Sequence, residues 1–177
     1  MNIKDRYQKA IKTLMSELNI TNLMAVPKLQ KVVVNIGFGK VREQSGLTDR
    51  LIKDLAKITG QKPIITKSRK SIAGFKVQKN QAVGFKVTLR GKRMYDFIDR
   101  LLNSVLPAIR DFRGLKSSTV DQSGNLQIGL AEHTIFPEIG FGEIEKAHGI
   151  QITMVPDTRD RKKALALYKV IGVPLQE

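Results

Sequence analysis

Apolar residues recur every three or four positions in four stretches of the chain, which is the spacing of one buried face on a helix. Thr48 and Thr158 stand where the N-caps of two of these helices are expected, because a threonine hydroxyl can accept a hydrogen bond from the first turn. Gly60 and Gly172 end these two helices, and Pro107 ends a third. The four predicted helices cover residues 3–18, 49–59, 94–106 and 159–171.

Alternation of apolar and polar residues predicts strands elsewhere, since successive side chains of a strand point to opposite faces. The clearest alternation covers residues 83–90. Its apolar set is Val83, Phe85, Val87 and Leu89, and its polar set is Gly84, Lys86, Thr88 and Arg90. The predicted strands cover residues 31–36, 64–67, 83–90, 126–130 and 150–154.

Strands interleaved with three or four helices indicate an α+β fold. We expect an antiparallel sheet of about five strands with helices on one face. The other face is then polar and cationic, because only one side of each strand is apolar. We further expect a single domain over residues 1–177, with an N-terminal helix and an exposed loop near residues 70–83.

The charge is large and unevenly distributed along the chain. The 177 residues carry 31 Lys and Arg against 16 Asp and Glu, a net charge of +15. Residues 1–90 hold 19 of these cations and 5 of the anions, or +14, and residues 91–177 hold 12 and 11, or +1. Such a field attracts polyanions, and releasing their counterions adds to the binding free energy. Nucleic acid is therefore the leading candidate for a partner. The alternative is that the charge only keeps the surface solvated.

Several other classes are excluded or disfavoured. There are no cysteines, which removes disulfides, thiol nucleophiles and zinc ribbons and fits a reducing cytoplasmic compartment. No apolar run approaches the ~18 residues that span a bilayer. The first residues, MNIKDRYQKAIK, have no apolar region typical of a secretory signal, so we expect neither a membrane partner nor export.

Catalytic and metal-binding patterns are weak. Residues 37–42 begin like a dinucleotide-binding fingerprint, but Arg42 stands where its last glycine belongs. His133 and His148 have no partner at ligand spacing, which favours structural or surface roles. Three glutamates could bind Mg²⁺ in a nuclease, but nothing in the sequence brings a catalytic base or a further ligand to them. The trio is Glu138, Glu143 and Glu145. We expect no enzyme, no cofactor and no metal ion.

The open face of the predicted sheet is suited to RNA. Lys86, Thr88 and Arg90 lie two apart on one strand, so their side chains project at a pitch of about 6.6 Å, close to the spacing of phosphates along an RNA strand. The exposed set contains no aromatic residues for base stacking. This favours recognition of the shape and backbone of a structured RNA over stacking of single-stranded bases.

Four separated segments then show a family resemblance. They read GQKPIITKSRKSIAGFK at residues 60–76, VTLRGKRM at 87–94, IRDFRGL at 109–115 and IFPEI at 135–139. In this order and spacing they are similar to the L-five family of bacterial large-subunit ribosomal proteins, which binds 5S rRNA. The resemblance implies a topology like that of the ribonucleoprotein domain, with a concave antiparallel sheet docked on 5S rRNA. It also implies contacts with 23S rRNA, peptidyl-site tRNA and neighbouring ribosomal proteins, including one on the head of the small subunit.

Carried over residue by residue, the family's 5S rRNA recognition positions fall on Asn35, Gln61 and Thr88, all matched in type. The cations around them complete the expected rRNA-binding set: Lys62, Lys67, Arg69, Lys70, Lys86 and Arg90. The segment 70–83 resembles the family's tRNA-facing loop. Its expected tRNA contacts are Gly74, Phe75, Lys76 and Lys79. Segments 110–115 and 132–141 resemble, less sharply, the parts near the bridge between the subunits.

Two segments depart from the family pattern. Residues 122–126 read QSGNL in place of the usual Gly-Arg-Gly-Asn-Tyr, and residues 173–177 read VPLQE in place of Phe-Pro-Phe-Arg/Lys-Lys. Neither departure touches the predicted binding face. We therefore expect a non-catalytic, ribosome-bound constituent of the large subunit. Two other classes stay open from the residues alone: an RNA chaperone or regulator outside the ribosome, and a metal-dependent nuclease whose cleavage EDTA abolishes.

Overall fold

The computed structural model describes residues 3–37, 47–75, 77–139 and 147–176. Its strands are β1 (Leu29–Gly37), β2 (Ile64–Lys67), β3 (Ala82–Leu89), β4 (Leu115–Lys116), β5 (Leu126–Leu130), β6 (Ile150–Pro156) and β7 (Leu175–Gln176). Five of these form an antiparallel sheet in the order β2-β3-β1-β6-β5. The short strands β4 and β7 pair in parallel with each other. All five predicted strands are present.

The helices are α1 (Ile3–Glu17), α2 (Leu47–Thr59), α3 (Gly91–Arg100), α4 (Leu106–Ala108) and α5 (Arg161–Ile171). Each strand of the large sheet except β2 buries alternate residues, so that one side of the sheet is covered. The α+β class with a five-stranded antiparallel sheet and helices on one face is therefore confirmed. Within the described part of the chain, no helix is both long enough and apolar enough to cross a bilayer.

Both predicted threonine caps are wrong. Leu47 already belongs to α2, so Thr48 lies inside that helix. The N-cap of α5 is Asp160, whose side chain accepts a hydrogen bond from the Lys162 N–H at 2.8 Å. The Thr158 hydroxyl instead accepts from the Asp160 N–H at 3.2 Å. Asp160 is therefore the cap, as expected of the stronger acceptor, and Thr158 hydrogen-bonds to the backbone of this cap residue.

The third predicted helix changes its hydrogen-bonding pattern before it ends. Residues Leu101–Val105 are π-helical, and α4 continues the helix to Ala108, one residue beyond Pro107. Pro107 lies in the last turn of this continuous stretch, where it supplies no backbone N–H, and the helix ends one residue later. Gly172 ends α5 as predicted, with a left-handed φ of +93°, and Gly60 follows α2 with φ +66°.

The described chain divides into two compact units. The first consists of residues 3–32, 89–128 and 152–176. In it, α1 packs on α5 and α3. Its buried side chains include Leu14, Phe97 and Tyr168. The Tyr168 hydroxyl accepts a hydrogen bond from the Leu126 N–H at 3.2 Å and lies 2.8 Å from the Gly124 carbonyl oxygen. This side chain therefore fastens the turn before β5 to α5.

The second unit consists of residues 33–88 and 129–151, as far as the structure describes them. Its core takes alternate residues from β1 and β3 and one face of α2. The buried residues of these elements include Val34, Ile36, Leu51, Leu55, Ile58, Phe85 and Val87. Most of the expected rRNA-binding residues also belong to this unit, and three of them, Asn35, Lys86 and Thr88, alternate with buried residues of β1 and β3.

Candidate nucleic-acid interface

Strand β3 presents two different faces. Phe85, Val87 and Leu89 are almost completely buried, with 0%, 1% and 0% of their surface exposed. Lys86 is exposed and Thr88 is half-buried. Because neighbouring residues of a strand point to opposite sides, Lys86 and Thr88 lie on the open side of the sheet. The predicted alternation is confirmed for residues 85–89.

Gly84 differs from the sequence prediction, which placed it with the exposed polar set. It is buried. A Cβ atom at this position would lie 2.6 Å from the Ile36 carbonyl oxygen and 3.1 Å from the Thr66 Oγ1. The close approach of the Ile36 backbone requires glycine here, because any side chain would push against it. Val83, which was expected in the core, is only half-buried.

Gln61 and Thr88 are brought together by the segment that follows α2. The Gln61 side-chain amide donates a hydrogen bond to the Thr88 carbonyl oxygen at 3.5 Å. The hydroxyl of the buried Thr59 lies 2.6 Å from the Leu55 carbonyl oxygen and 3.0 Å from that of Gln61. These contacts hold the end of α2 against the start of the segment leading to β2. Gln61 is half-buried, and Lys62 beside it is exposed.

Asn35 shares the open side of the sheet. It lies between Val34 and Ile36, which are both fully buried, so its own side chain points away from the core. Asn35 is half-buried, as are Gln61 and Thr88. All three residues expected to recognise 5S rRNA therefore belong to one unit and retain access to solvent.

Strand β2 lies at the edge of the sheet and pairs with β3. Ile64 is directly opposite Lys86, and Thr66 is directly opposite Gly84. The register shifts between Thr66 and Lys67. Further along the chain, Lys67, Arg69 and Lys70 are all exposed. These three cations are accessible, and their contact with RNA stays a prediction.

The connection between β2 and β3 is a hydrogen-bonded hairpin. The Ser68 N–H donates to the Gln81 carbonyl oxygen at 2.8 Å, and Ile72 and Val77 bond to each other in both directions, at 2.9 and 3.2 Å. Near its tip, the Lys79 N–H donates to the Ser71 hydroxyl at 3.0 Å. The hairpin is therefore built from its own backbone and side-chain hydrogen bonds.

Two of the expected tRNA contacts, Gly74 and Lys79, lie among the described residues of this hairpin. Gly74 is exposed within the short 3₁₀ turn Ala73–Phe75, and Lys79 is exposed on the returning arm. Lys76 and the side chain of Phe75 lie outside the described residues. Gly74 and Lys79 are thus both accessible, and their contact with tRNA stays a prediction.

Arg90 belongs to the first unit, unlike the other expected rRNA-binding residues. It follows the last residue of β3 and occupies the N-cap position of α3 with extended backbone angles. Its side chain makes no capping hydrogen bond and is exposed. The guanidinium is therefore accessible next to the end of β3.

A buried polar cluster in the second unit has no local sequence signal. The backbone N–H of His148 donates a hydrogen bond to His133 Nδ1 at 3.1 Å, and His133 Nε2 lies 3.7 Å from the Asp54 carboxylate. All three residues are at most 8% exposed. A hydrogen bond thus joins the segments at 133 and 148, and the approach of His133 to Asp54 brings α2 beside them, which agrees with a structural role for the histidines.

Metal binding finds no support in the described part of the chain, which contains no group of three or more potential ligands. Of the glutamate trio considered for Mg²⁺, Glu143 and Glu145 lie outside the described residues. The same applies to Arg42 and most of the dinucleotide-like segment.

Comparison with known proteins identifies the family of this chain. Residues 22–78 match the family model described as ribosomal protein L5, and residues 82–175 match a second model, which describes the C-terminus of the same ribosomal family. The chain belongs to the ribosomal protein L5 family. This is the L-five family that the sequence resembles, and its members are structural components of the ribosome, not enzymes.

Individual members of the ribosomal protein L5 family match over nearly their whole length. The large ribosomal subunit protein uL5 of Fusobacterium nucleatum is 46% identical over 177 residues, covering 97% of each chain. The proteins of the same name from Carboxydothermus hydrogenoformans and Halothermothrix orenii are 44% and 43% identical over 173 and 170 residues. The alignments cover 97% of both chains for the former, and 96% of this chain and 95% of its relative for the latter.

Proposed function

We propose that this structural constituent of the large ribosomal subunit binds 5S rRNA through the open side of β1 and β3 and through Gln61, Lys62 and the cations at 67, 69 and 70. Its place on the ribosome, and hence in the cytoplasm, follows from the family. The observation that carries the specific proposal is the alternation on β3: Lys86 and Thr88 point to the open side while Phe85 and Val87 are buried.

The polar residues and the cations have different parts in this proposal. Asn35, Gln61 and Thr88 are neutral groups that can hydrogen-bond to ribose 2′-hydroxyls and phosphate oxygens. The side-chain cations provide the attraction to the phosphate backbone, which depends on salt. They are Lys62, Lys67, Arg69, Lys70, Lys86 and Arg90. The absence of aromatic side chains from these sets favours a folded RNA over an unstructured strand.

The hairpin between β2 and β3 is the proposed tRNA contact. Gly74 and Lys79 are exposed, and hydrogen bonds join the two arms of the hairpin at Ser68, Ser71 and Ile72. A preformed hairpin loses less conformational entropy on contact than an unstructured loop does. Contacts with 23S rRNA and with a protein on the head of the small subunit complete the proposed partners.

The decisive experiment replaces Asn35 and Thr88 together with alanine. Each neutral hydrogen bond is worth about 0.5–1.5 kcal/mol, so we expect the double variant to bind 5S rRNA about tenfold more weakly. Thermal unfolding should change little, because both side chains point away from the core. Binding is measured by filter retention against a structured transcript of equal length, in about 0.3 M salt, where non-specific attraction is weak.

The matched control is Gln8→Ala with Thr13→Ala on α1, which also removes two exposed polar side chains. We expect this variant to bind 5S rRNA as the unaltered protein does. Unchanged binding of the Asn35 and Thr88 variant would exclude the assigned face. Equal binding of 5S rRNA and the structured transcript by the unaltered protein would exclude 5S rRNA as its specific partner.

A further inference from the structure

The open side carries two apolar residues beside its polar ones: Val33, which is half-buried, and Ile64, which is far more exposed. Ile64, the first residue of β2, is 66% exposed. It lies directly opposite Lys86 in the antiparallel pair β2–β3. Directly opposed residues in such a pair have their side chains on the same face, so Ile64 belongs to the open side. Thr66, two residues further along β2, shares this face.

The next residue, Ile65, provides the comparison. It is directly opposite Phe85, which is completely buried, so Ile65 points to the covered side and extends the rim of the core. Its 47% exposure reflects its place at the edge of the sheet. Packing therefore accounts for Ile65, whereas Ile64 is surrounded on its own face by polar and cationic residues.

Exposure alone does not make Ile64 significant, because single apolar residues are common on protein surfaces. Its position is what matters. A lysine is its direct cross-strand neighbour, and Lys62 is exposed two residues before it. An aliphatic side chain gains nothing from phosphate groups, which retain their water. On a cationic surface it can gain free energy only where the RNA offers an apolar surface.

A regular RNA helix offers little apolar surface to a side chain such as that of Ile64. Its major groove is too narrow for side chains, and its shallow minor groove displays hydroxyls and polar base edges. The flat face of a base becomes accessible when the nucleotide leaves the stack, as it does in loops and bulges. Such a face can cover the Ile64 side chain while Lys62 and Lys86 neutralise the adjoining phosphates.

We propose that Ile64 contacts an unstacked nucleotide of the bound RNA and thereby selects an irregular, folded RNA over a regular duplex. This inference rests on the proposed binding of 5S rRNA at the same face. It adds an apolar contact, which favours RNA with an exposed base, to the cations and hydrogen-bonding groups of this surface.

The test is Ile64→Thr, with Ile65→Thr as the matched control on the opposite face of the same strand. Threonine keeps the β-branched shape that favours a strand but removes apolar surface. We expect Ile64→Thr to weaken binding to 5S rRNA about fivefold, in line with the loss of a few tens of Å² of buried apolar contact. The salt dependence should stay the same, because no charge is removed.

Ile65→Thr should leave binding to 5S rRNA unchanged and lower the melting temperature slightly, because its side chain borders the core. Both variants should bind a fully paired RNA duplex of similar length as the unaltered protein does, since the duplex exposes no base face. Melting curves of both variants establish that any loss of affinity is not caused by unfolding.

Full affinity of Ile64→Thr for 5S rRNA would overturn the inference. If the Asn35 and Thr88 double variant were still impaired, the proposed function would stand without it. Equal loss of duplex binding would also overturn it, because the contact would then not require an unstacked base. A dimer of the free protein that Ile64→Thr dissociates without weakening RNA binding would assign the residue to self-association instead.

Discussion

The open side of β2 and β3 and the turn before β5 use polar groups in opposite ways. On the open side, exposed lysines and half-buried amide and hydroxyl groups point away from the core. In the turn, Asp121 accepts hydrogen bonds at 2.8 Å from both the backbone and the side chain of Asn125. The Tyr168 hydroxyl then holds the turn from inside the protein. Polar groups directed outward remain available to a partner, whereas those bonded internally stabilise the fold.

The two segments that depart from the family pattern both make contacts within the protein. The residues at 122–126 belong to this internally bonded turn, in which Gly124 has a φ of +81° and Leu126 is buried. The changed C-terminal residues also have internal contacts, since the Gln176 side chain donates to the Arg113 carbonyl oxygen at 2.8 Å. Both departures thus affect segments fastened to the protein itself.

The largest expected effect is the loss of RNA affinity when Lys67, Arg69 and Lys70 are all replaced by glutamine. If each contacts one phosphate, the slope of log affinity against log salt should flatten by about 2–3, and affinity near 0.1 M salt should fall by about 10²-fold. Stability should hardly change, because the three side chains are exposed. Filter binding to 5S rRNA over a range of salt concentrations measures both quantities.

The control for this charge change is the replacement of Lys4, Lys9 and Lys12 of α1 by glutamine, which removes the same net charge. It should reduce the attraction only through the general field of the protein and leave the slope nearly unaltered. An equal flattening by both variants would show that net charge, and not the segment 67–70, sets the salt dependence.

Tyr168→Phe tests the internally bonded turn before β5. Removing the hydroxyl leaves the buried Leu126 N–H and the Gly124 carbonyl without this partner, and an unsatisfied buried group costs about 1–3 kcal/mol. We expect the free energy of unfolding in urea to fall by about 2 kcal/mol. The salt dependence of RNA binding should stay unchanged, since the affected groups are internal.

Tyr95→Phe is the control for this substitution. Tyr95 is half-buried, so losing its hydroxyl should change the stability by less than about 0.5 kcal/mol. Burial raises the pKa of both hydroxyls, so each remains protonated at neutral pH and can donate. An equal loss of stability in the two variants would contradict the special role of the internally bonded turn.

Sequence patterns predicted most of the fold because burial of one face is a local property of a helix or strand. They predicted the open side of β3 for the same reason. Capping was harder: Thr158 and Asp160 are two residues apart, and only the geometry of the first turn decides between them. The parallel pair β4–β7 escaped prediction, because strands of two residues have no detectable period.

The pattern of apolar and polar residues did not predict the contacts between distant segments. His133 and His148 are 15 residues apart, and nothing near them in sequence indicates that Asp54 lies beside His133. Gly84 fits the alternation of β3, but its burial depends on the approach of the Ile36 backbone. The cross-strand pairing of Ile64 with Lys86 likewise requires the register, which the sequence does not specify.

The smallest expected effect is a change in the free energy of unfolding at acidic pH. Burial raises the pKa of Asp121, but the hydrogen bonds from the Asn125 side chain and from the backbone of Asn125 and Ser123 outweigh it, and the net pKa is lowered. The ionised carboxylate is therefore favoured in the folded state. Its contribution to stability is complete above the pKa of about 3.9 in the unfolded chain and is lost as the pH falls through the lower folded value.

Asp121→Asn should consequently be less stable than the unaltered protein at pH 6, and the difference in the free energy of unfolding should shrink towards pH 2. Urea titrations at pH 6, 4 and 2 measure this difference directly. A difference that stays constant over that range would show that the neutral hydrogen-bonding shape of the side chain, and not its charge, holds the turn. RNA affinity at pH 6 should be unaffected, because the carboxylate acts within the protein and not on the open side of the sheet.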